Sequence, residues 1–366
     1  MTREATSTTA FLPDAASFLQ SSYPTLIAPN RFYLVRAWDL PRGLSPTEVG
    51  SIVTALRARH PALTSALRQG IDGWAATHEP RPVSAVQRVE MAAIPVERRA
   101  DLVQDLADAL GATLAVDGGA LTSFVQVVAG PGDRDFLLGV LHHLVCDEYS
   151  LRVLGRDLQG LLDGRPLDGQ DGYLNLLERL GEPVEHVRSA PVKPIVLQAQ
   201  TTVHVAASGV DPRGRVERVL CAALSRLAEV IASPPIYQRV HHGRDAIDAA
   251  AYPQDAVELM GAVGWFTQTR SYRGHDGEPA PRRVPADLWF NTFGSPISRS
   301  TSGEESWANG LGFPKDPCFE GTPLALELTT GPSEDLLRFV WSERIWRRPD
   351  VERIARLVRA DITENP

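Results

Sequence analysis

The sequence predicts an α/β fold made of two α/β halves that a short linker joins. Helix-like and strand-like patterns alternate along the chain, which is typical of α/β proteins. The 366 residues suggest two domains or one large pseudo-symmetric unit. Residues 183–194 hold three prolines and look like a linker. We therefore assign the N-terminal half to residues 1–185 and the C-terminal half to residues 195–366.

The first half opens with a strand and a capped helix. Residues 31–40 form the predicted strand. Residues 45–48 (Ser-Pro-Thr-Glu) make a capping box with proline at the first helical position, and Pro61 ends the helix. Apolar residues recur at helical spacing after the box. The predicted inward positions of the strand and the helix are Phe32, Leu34, Val35, Val49, Ile52, Val53 and Leu56.

A helix over residues 96–110 and two strands complete the sheet of the first half. The strands cover residues 122–128 and 135–141, and the second is a nearly continuous apolar run. Such a run is typical of a strand that is covered on both faces. It leads directly into a pair of histidines and then a helix that ends near residues 163–164. That helix is marked by Leu151, Leu154, Leu158 and Leu161.

The second half repeats helices and strands. A helix is predicted over residues 216–231 and a closing helix over residues 349–362, both with one apolar face. Two long stretches rich in Gly, Pro or Ser are predicted as loops, at residues 273–285 and 294–317. The predicted strands are residues 263–272, 286–293, 324–328 and 336–341.

Composition and charge exclude several classes of function. The formal net charge of −8 argues against a nucleic-acid binder, which needs a basic face. The three cysteines, Cys146, Cys221 and Cys318, are far apart and form no CxxC motif, so neither a disulfide framework nor a thiolate zinc site is predicted. The chain has no apolar run of 18 residues and no secretory h-region near its first residue. A cytoplasmic protein without membrane contact is the expectation.

The strongest candidate for chemistry is the pair His142-His143, with Asp147 four residues later. An imidazole at a strand end can act as a general base near neutral pH. A core histidine beside an exposed one is an equally good interpretation of so short a motif. The setting, between an apolar strand and an amphipathic helix, favours the catalytic interpretation.

In that setting, residues 142–147 (His-His-Leu-Val-Cys-Asp) resemble the HHxxxDG signature of the condensation-domain superfamily of nonribosomal peptide synthesis. Four more segments resemble motifs of the same family and occur in its order, so that the resemblance spans roughly residues 30–360. They are residues 59–63 (Arg-His-Pro-Ala-Leu), 242–244 (His-Gly-Arg), 264–269 (Gly-Trp-Phe-Thr-Gln-Thr) and 287–291 (Asp-Leu-Trp-Phe-Asn).

The resemblance implies two chloramphenicol-acetyltransferase-like halves in a V-shaped arrangement, with a tunnel between them. An acyl thioester on the phosphopantetheine arm of a carrier protein meets an amine or hydroxyl acceptor there. We expect the protein to need no cofactor or metal of its own. The sequence shows no carrier-protein or adenylation segment, so we expect a freestanding enzyme to which a carrier protein binds in trans.

The resemblance also assigns roles to single residues. His143 is the catalytic residue, either as a base or by positioning the nucleophile. His142 and Asp147 are structural, and Arg244 is the candidate partner of Asp147. The tentative substrate-binding residues are Glu148, Tyr149, Trp265 and Asn291, although core packing is the competing interpretation for Trp265.

The chain departs from the family at several positions. Glu148 replaces the glycine of the signature, and its side chain either narrows the tunnel, contacts a cationic acceptor or turns away. Thr64 stands in place of an arginine, and the chain is shorter than ordinary members. A catalytically inactive recruitment module is therefore an alternative. An epimerization domain is a weaker one, because Val240 replaces the glutamate that two-base epimerization requires.

Overall fold

A computed structural model describes residues 6–8, 10–12, 15–16, 18–19, 29–78, 85–130, 133–184, 199–206, 212–241, 256–280, 286–293, 323–331 and 334–364. These residues form two compact units. The first unit holds those within 1–192 and 243–267, and the second holds those within 193–242, 268–297 and 318–366. The boundary between residues 185 and 195 stays a prediction. Within the described chain, residues 256–267 join the first unit and not the second.

Strands and helices are numbered along the chain. The strands are β1 (Thr6–Thr8), β2 (Ala10–Phe11), β3 (Tyr33–Leu40), β4 (Ser65–Gly70), β5 (Gly73–His78), β6 (Gln87–Glu90), β7 (Thr122–Val128), β8 (Asp135–His142), β9 (Glu182–Pro183), β10 (Ala199–Ala206), β11 (Ile236–His241), β12 (Gln268–Arg273), β13 (Glu278–Pro279), β14 (Leu288–Phe293), β15 (Leu324–Thr329) and β16 (Glu334–Trp341). The helices are α1 (Pro46–Arg59), α2 (Val96–Gly111), α3 (Glu148–Leu162), α4 (Tyr173–Leu180), α5 (Pro212–Ile231), α6 (Ala256–Gly261) and α7 (Arg348–Glu364).

The first unit is organised around a sheet in the order β3-β8-β7-β6. β8 is antiparallel to both neighbours, and β6 is parallel to β7. All eight residues of β8 are buried. Its alternate side chains enter two cores: Phe136, Leu138 and Val140 pack with residues of α2, and Leu137 and Leu141 pack with residues of α1 and α3. Helices on both faces explain why this strand is apolar along its whole length.

Helix α1 begins as the capping box predicts. The Ser45 hydroxyl accepts a hydrogen bond from the Glu48 amide at 3.2 Å, and the Ser45 amide donates to the Glu48 carboxylate at 2.8 Å. Pro46 is the first residue of the helix, and Arg59 is its last. Because two free amides at the helix start are satisfied locally, the sequence alone fixes where α1 begins.

The second unit is a mixed sheet in the order β10-β16-β15-β14-β11-β12-β13. β11, β14 and β15 are parallel neighbours, and the other pairs are antiparallel. Helices α5 and α7 pack together beside this sheet. Its core holds Leu220, Leu224, Phe290, Leu326, Leu337, Phe339, Trp341, Val351 and Ile354, among others.

Several predictions need correction. The strand predicted from residue 263 begins only at Gln268, because residues 262–267 form an irregular buried segment. The loop predicted at 273–285 contains the end of β12 and the short strand β13. Most of the predicted linker and the whole of the loop predicted at 294–317 lie outside the described residues. Sequence analysis missed the β4–β5 hairpin, α4, β10 and β11.

No helix in the described part of the chain is both long and apolar enough to cross a bilayer.

Candidate active site

The candidate site lies where β8 ends and α3 begins. His142 is the last residue of β8, and His143–Val145 form a single 3₁₀ turn. Asp147 then caps α3, since its carboxylate accepts a hydrogen bond from the Ser150 amide at 2.8 Å. The buried strand and the capped helix thus fix both ends of the turn that carries His143.

His142 is fully buried and has both ring nitrogens occupied. Nδ1 accepts a hydrogen bond from the Leu144 amide at 3.1 Å, so the proton is on Nε2, which donates to the Pro29 carbonyl at 3.0 Å. The pKa of His142 is lowered to about 4, mainly by burial; the hydrogen bond to Pro29 opposes this shift, and the neighbouring His143 adds to it. A neutral imidazole with two internal partners is a structural group and is not available to a substrate.

His143 is half-buried and is held by aromatic rings. Its amide donates to the Phe32 carbonyl at 2.8 Å. Its ring stacks on Phe32 with centroids 4.7 Å apart and planes at 15°, and lies 4.9 Å from the Trp265 ring. Nδ1 is buried. The His143 ring therefore has a fixed place at the end of β8.

Asp147 joins the site to the segment at residues 262–267. One carboxylate oxygen accepts from the amide and hydroxyl of Ser150, and the other accepts from the Phe266 amide at 3.0 Å. The Asp147 amide donates to the Gly264 carbonyl at 3.1 Å. Asp147 is 1% exposed, so these contacts hold the backbone on either side of Trp265. Arg244, its predicted partner, lies outside the described residues.

Glu148 is the first residue of α3, where its backbone is helical. The position therefore does not need the conformational freedom of glycine. Burial raises the pKa of Glu148, and the charges of Arg36 and Arg152 oppose this rise. Its carboxylate thus shares its surroundings with two guanidinium groups of its own unit. The next residue, Tyr149, is half-buried and donates from its hydroxyl to the Met260 sulfur at 3.7 Å.

Trp265 and Asn291 differ in their relation to His143. Trp265 is 7% exposed and packs on Phe18, Phe32 and His143. Its buried Nε1 has no hydrogen-bond partner among the residues that the structure describes. Asn291 belongs to the second unit, on β14, where it is buried and in register with Glu327 of β15.

Sequence analysis missed a buried charge cluster behind this site. His60 is completely buried, with Nδ1 2.7 Å from an Asp171 oxygen and Nε2 3.1 Å from an Asp157 oxygen. The same Asp171 oxygen accepts from the Val263 amide at 2.9 Å. The only signal in the sequence was the Arg59-His60 motif, because the two aspartates lie 97 and 111 residues away.

Two further groups complete the description of the site. Cys146 is fully buried, and its thiol contacts the Asp147 carbonyl at 3.4 Å. Over the part of the chain that is described, no group of three or more His, Cys, Asp or Glu residues could hold a metal ion.

Comparison with known proteins gives one sequence relative and many structural ones. No family model matches the chain. One of the proteins that make up the linear gramicidin synthase of Brevibacillus parabrevis is 24% identical over 267 residues, which are 61% of this chain and 5% of that protein. The chain therefore spans a small part of the length of this relative.

The structural matches cover nearly the whole chain. One belongs to a study of condensation domain-mediated chain release from the enacyloxin polyketide synthase (TM-score 0.64, 16% identity, 96% of this chain and 82% of that chain). The SgcC5 protein from Streptomyces globisporus has a TM-score of 0.64 at 14% identity, over 96% of this chain and 98% of that one. The epimerization domain from the third module of tyrocidine synthetase B has a TM-score of 0.59 at 13% identity, over 91% and 92%. Identities this low show a shared fold.

Proposed function

We propose that this chain, which has the chloramphenicol-acetyltransferase-like fold of the condensation-domain superfamily as predicted, is a condensation-type acyltransferase of natural-product biosynthesis. The reaction would transfer an acyl or aminoacyl group from a carrier-protein thioester to an amine or a hydroxyl. The enzyme would act as a freestanding cytoplasmic protein, with the phosphopantetheine arm supplied by a carrier protein in trans. The V-shaped arrangement of the halves and the tunnel remain part of this proposal.

The observation that carries the proposal is the fixed imidazole of His143. Stacking on Phe32 and contact with Trp265 hold this half-buried ring at the turn between β8 and α3. His142 cannot take this role, because both its nitrogens are engaged inside the protein.

The proposed reaction needs little more than this imidazole and two bound substrates. The acceptor nitrogen attacks the thioester carbonyl, forming a C–N bond and a tetrahedral intermediate. Nε2 of His143 accepts the proton from the attacking amine, or orients its lone pair. The C–S bond then breaks, and the departing thiolate receives the proton. Holding the substrates together supplies much of the rate.

Glu148 fits this proposal as the first residue of α3, directly after Asp147. The arginines Arg36 and Arg152 provide positive charge close to its carboxylate. We therefore expect Glu148 to be neutralised within the first unit and not by a cationic acceptor. Tyr149, Trp265 and Asn291 remain proposed substrate-binding residues.

Epimerization is the weaker proposal, although an epimerization domain is among the structural matches. Val240 lies on β11 and is 6% exposed. A buried hydrocarbon side chain cannot move a proton to or from an α-carbon.

The test is a mass-spectrometric assay of acyl-loaded carrier protein with candidate amines and alcohols. We expect His143→Ala to lose about 10²–10⁴-fold in turnover, the usual contribution of a general base. His204→Ala is the matched control, since His204 is an exposed histidine of the second unit that pairs with Glu334. Circular dichroism should show both variants folded.

Unchanged turnover in His143→Ala would remove the catalytic assignment. A wild-type chain that binds a carrier protein and yet forms no product with any acceptor would instead favour the recruitment module.

A further inference from the structure

The surroundings of His60 suit a protonated imidazole. Its two ring nitrogens face carboxylate oxygens of Asp171 and Asp157 at 2.7 and 3.1 Å. A neutral imidazole has one N–H and would direct a lone pair at the other carboxylate, whereas an imidazolium donates to both. The ring is 0% exposed, so water cannot take the place of either partner.

The electrostatics agree with this geometry. Burial by itself lowers the pKa of His60, but the hydrogen bonds and charges of Asp157 and Asp171 outweigh it and raise the pKa above its ordinary value. Other charged or titratable groups lie around the cluster. Arg156 donates to the second oxygen of Asp157 at 2.8 Å, and Arg59 donates to the Asp168 carbonyl at 2.9 Å. Tyr173 follows Asp171, and burial raises the pKa of this tyrosine.

The cluster also holds the segment that contacts His143. Asp171 accepts from the Val263 amide at 2.9 Å with the oxygen that faces His60, and from the Tyr173 amide at 3.0 Å with the other. Three residues after Val263, the Phe266 amide donates to Asp147. Between these two anchors lies Trp265, whose ring is 4.9 Å from His143.

We propose that His60 is a positioning residue, which as an imidazolium fixes Asp171 so that residues 263–266 hold Trp265 against the His143 ring. The catalytic part of this inference rests on the proposed acyl transfer. The structural link from His60 through Asp171 to Trp265 does not depend on it. As pH rises through the folded-state pKa of His60, the imidazole loses one N–H and with it the hydrogen bond to one carboxylate. Residues 263–266 are then held less tightly. Transfer should therefore fall at alkaline pH.

The structural arm of the test uses ¹⁹F NMR of the full chain labelled with 5-fluorotryptophan. Trp265→Phe assigns the Trp265 resonance, and a His143→Gln background removes the titration of the neighbouring imidazole. We expect the Trp265 resonance to change with a midpoint above the ordinary histidine pKa of about 6.5. Asp157→Asn should move this midpoint down by about 1 pH unit, because one opposite charge is lost.

Two more variants sharpen the result. Arg156→Gln removes an exposed cation that competes for Asp157, so the midpoint should move up. Because Arg156 is at the surface, this variant still tests the proposal if Asp157→Asn fails to fold. His78→Gln is the matched control: His78 is another buried histidine of the first unit, with Ser65 and the Pro61 carbonyl as partners and no carboxylate. It should leave the midpoint unchanged.

The catalytic arm measures the alkaline limb of kcat/KM in chains that keep His143. The limb should follow the same shifts in Asp157→Asn and Arg156→Gln. A Trp265 resonance that ignores pH, or an alkaline limb that stays in place while the resonance moves, would overturn the positioning role. If the resonance moves as expected and the wild type transfers no acyl group, the structural link stands and the proposed function fails.

Discussion

Neighbouring histidines at the end of β8 have opposite surroundings. His142 points into the protein and is neutral because burial outweighs its contact with Pro29. His143 starts a 3₁₀ turn and is half-buried between two aromatic rings. One change of direction in the backbone thus separates a fully buried imidazole from a half-buried one, to which the proposed function assigns the catalytic role.

The pKa of His142 predicts a loss of stability in acid. Its value of about 4 in the folded chain lies below the unfolded value of about 6.5. As pH falls from 6.5 to 4, the unfolded chain takes up a proton that the folded chain refuses. This term lowers the free energy of unfolding by about 3 kcal/mol. Urea unfolding of wild type and His142→Gln between pH 7.5 and 4.5 measures it.

We expect His142→Gln to be less stable than wild type at pH 7.5 but to lose less stability on acidification. Equal slopes for wild type and His142→Gln would show that the buried imidazole does not titrate in this range.

For single residues, the sequence shows which ones are adjacent along the chain but not which ones are close in space. The order of His142, His143 and Asp147 at a strand-to-helix junction is visible in the sequence. The pairing of His60 with two aspartates is not, because strands β4 to β8 and helix α2 lie between them along the chain. Glu327 shows the same limit: a polar residue between leucines predicts an exposed face, yet it is 3% exposed and pairs with Arg338.

The elements that were predicted correctly have strong local signals in their own sequence. α1 has a complete capping box, and β8 is a nearly continuous apolar run. The elements that were missed depend on tertiary contacts. α4 has eight residues, too few to be stable alone, and it packs through Tyr173, Leu176 and Leu177. Residues 263–266 are not a strand, because their backbone binds to side chains and to the Asp147 amide and not to a neighbouring strand.

Gly139 of β8 leaves room for the ring of Trp38, which lies on the neighbouring strand β3. A Cβ there would lie 2.6 Å from the Trp38 ring. We expect Gly139→Ala to cost about 1–3 kcal/mol, as overpacked cores do. Combining it with Trp38→Leu should recover part of this loss, since the smaller side chain removes the clash. Thermal or urea unfolding of the two single variants and the double variant measures the coupling.

Gly160→Ala in α3 is the control for added bulk, because a Cβ at Gly160 meets no atom within 4 Å. It should not destabilise the chain, since alanine is favoured over glycine in a helix. A loss that is the same with and without Trp38 would show that the backbone, and not the ring, disfavours alanine at position 139.

Over the whole molecule, each unit has a core of its own. Leu137 is fully buried in the first unit, and Leu326 is fully buried in the second. Each Leu→Ala variant should lose about 2–5 kcal/mol. Hydrogen–deuterium exchange should accelerate mainly in the unit that carries the substitution.

Ile71→Ala is the control for this pair, since Ile71 is 94% exposed and its loss should stay within about 0.5 kcal/mol. Exchange that accelerates equally in both units for both leucine variants would show that the chain unfolds as one cooperative body.

The aromatic cradle of His143 has a consequence for selectivity. A ring stacked on Phe32 keeps its plane, so the His143 imidazole has one orientation in the protein. In the proposed transfer, an incoming nucleophile would have to match its angle of approach to that orientation. Acceptors of the same size that approach from different directions would then react to different extents. Replacing Phe32 with a smaller residue would broaden the range of acceptors that react.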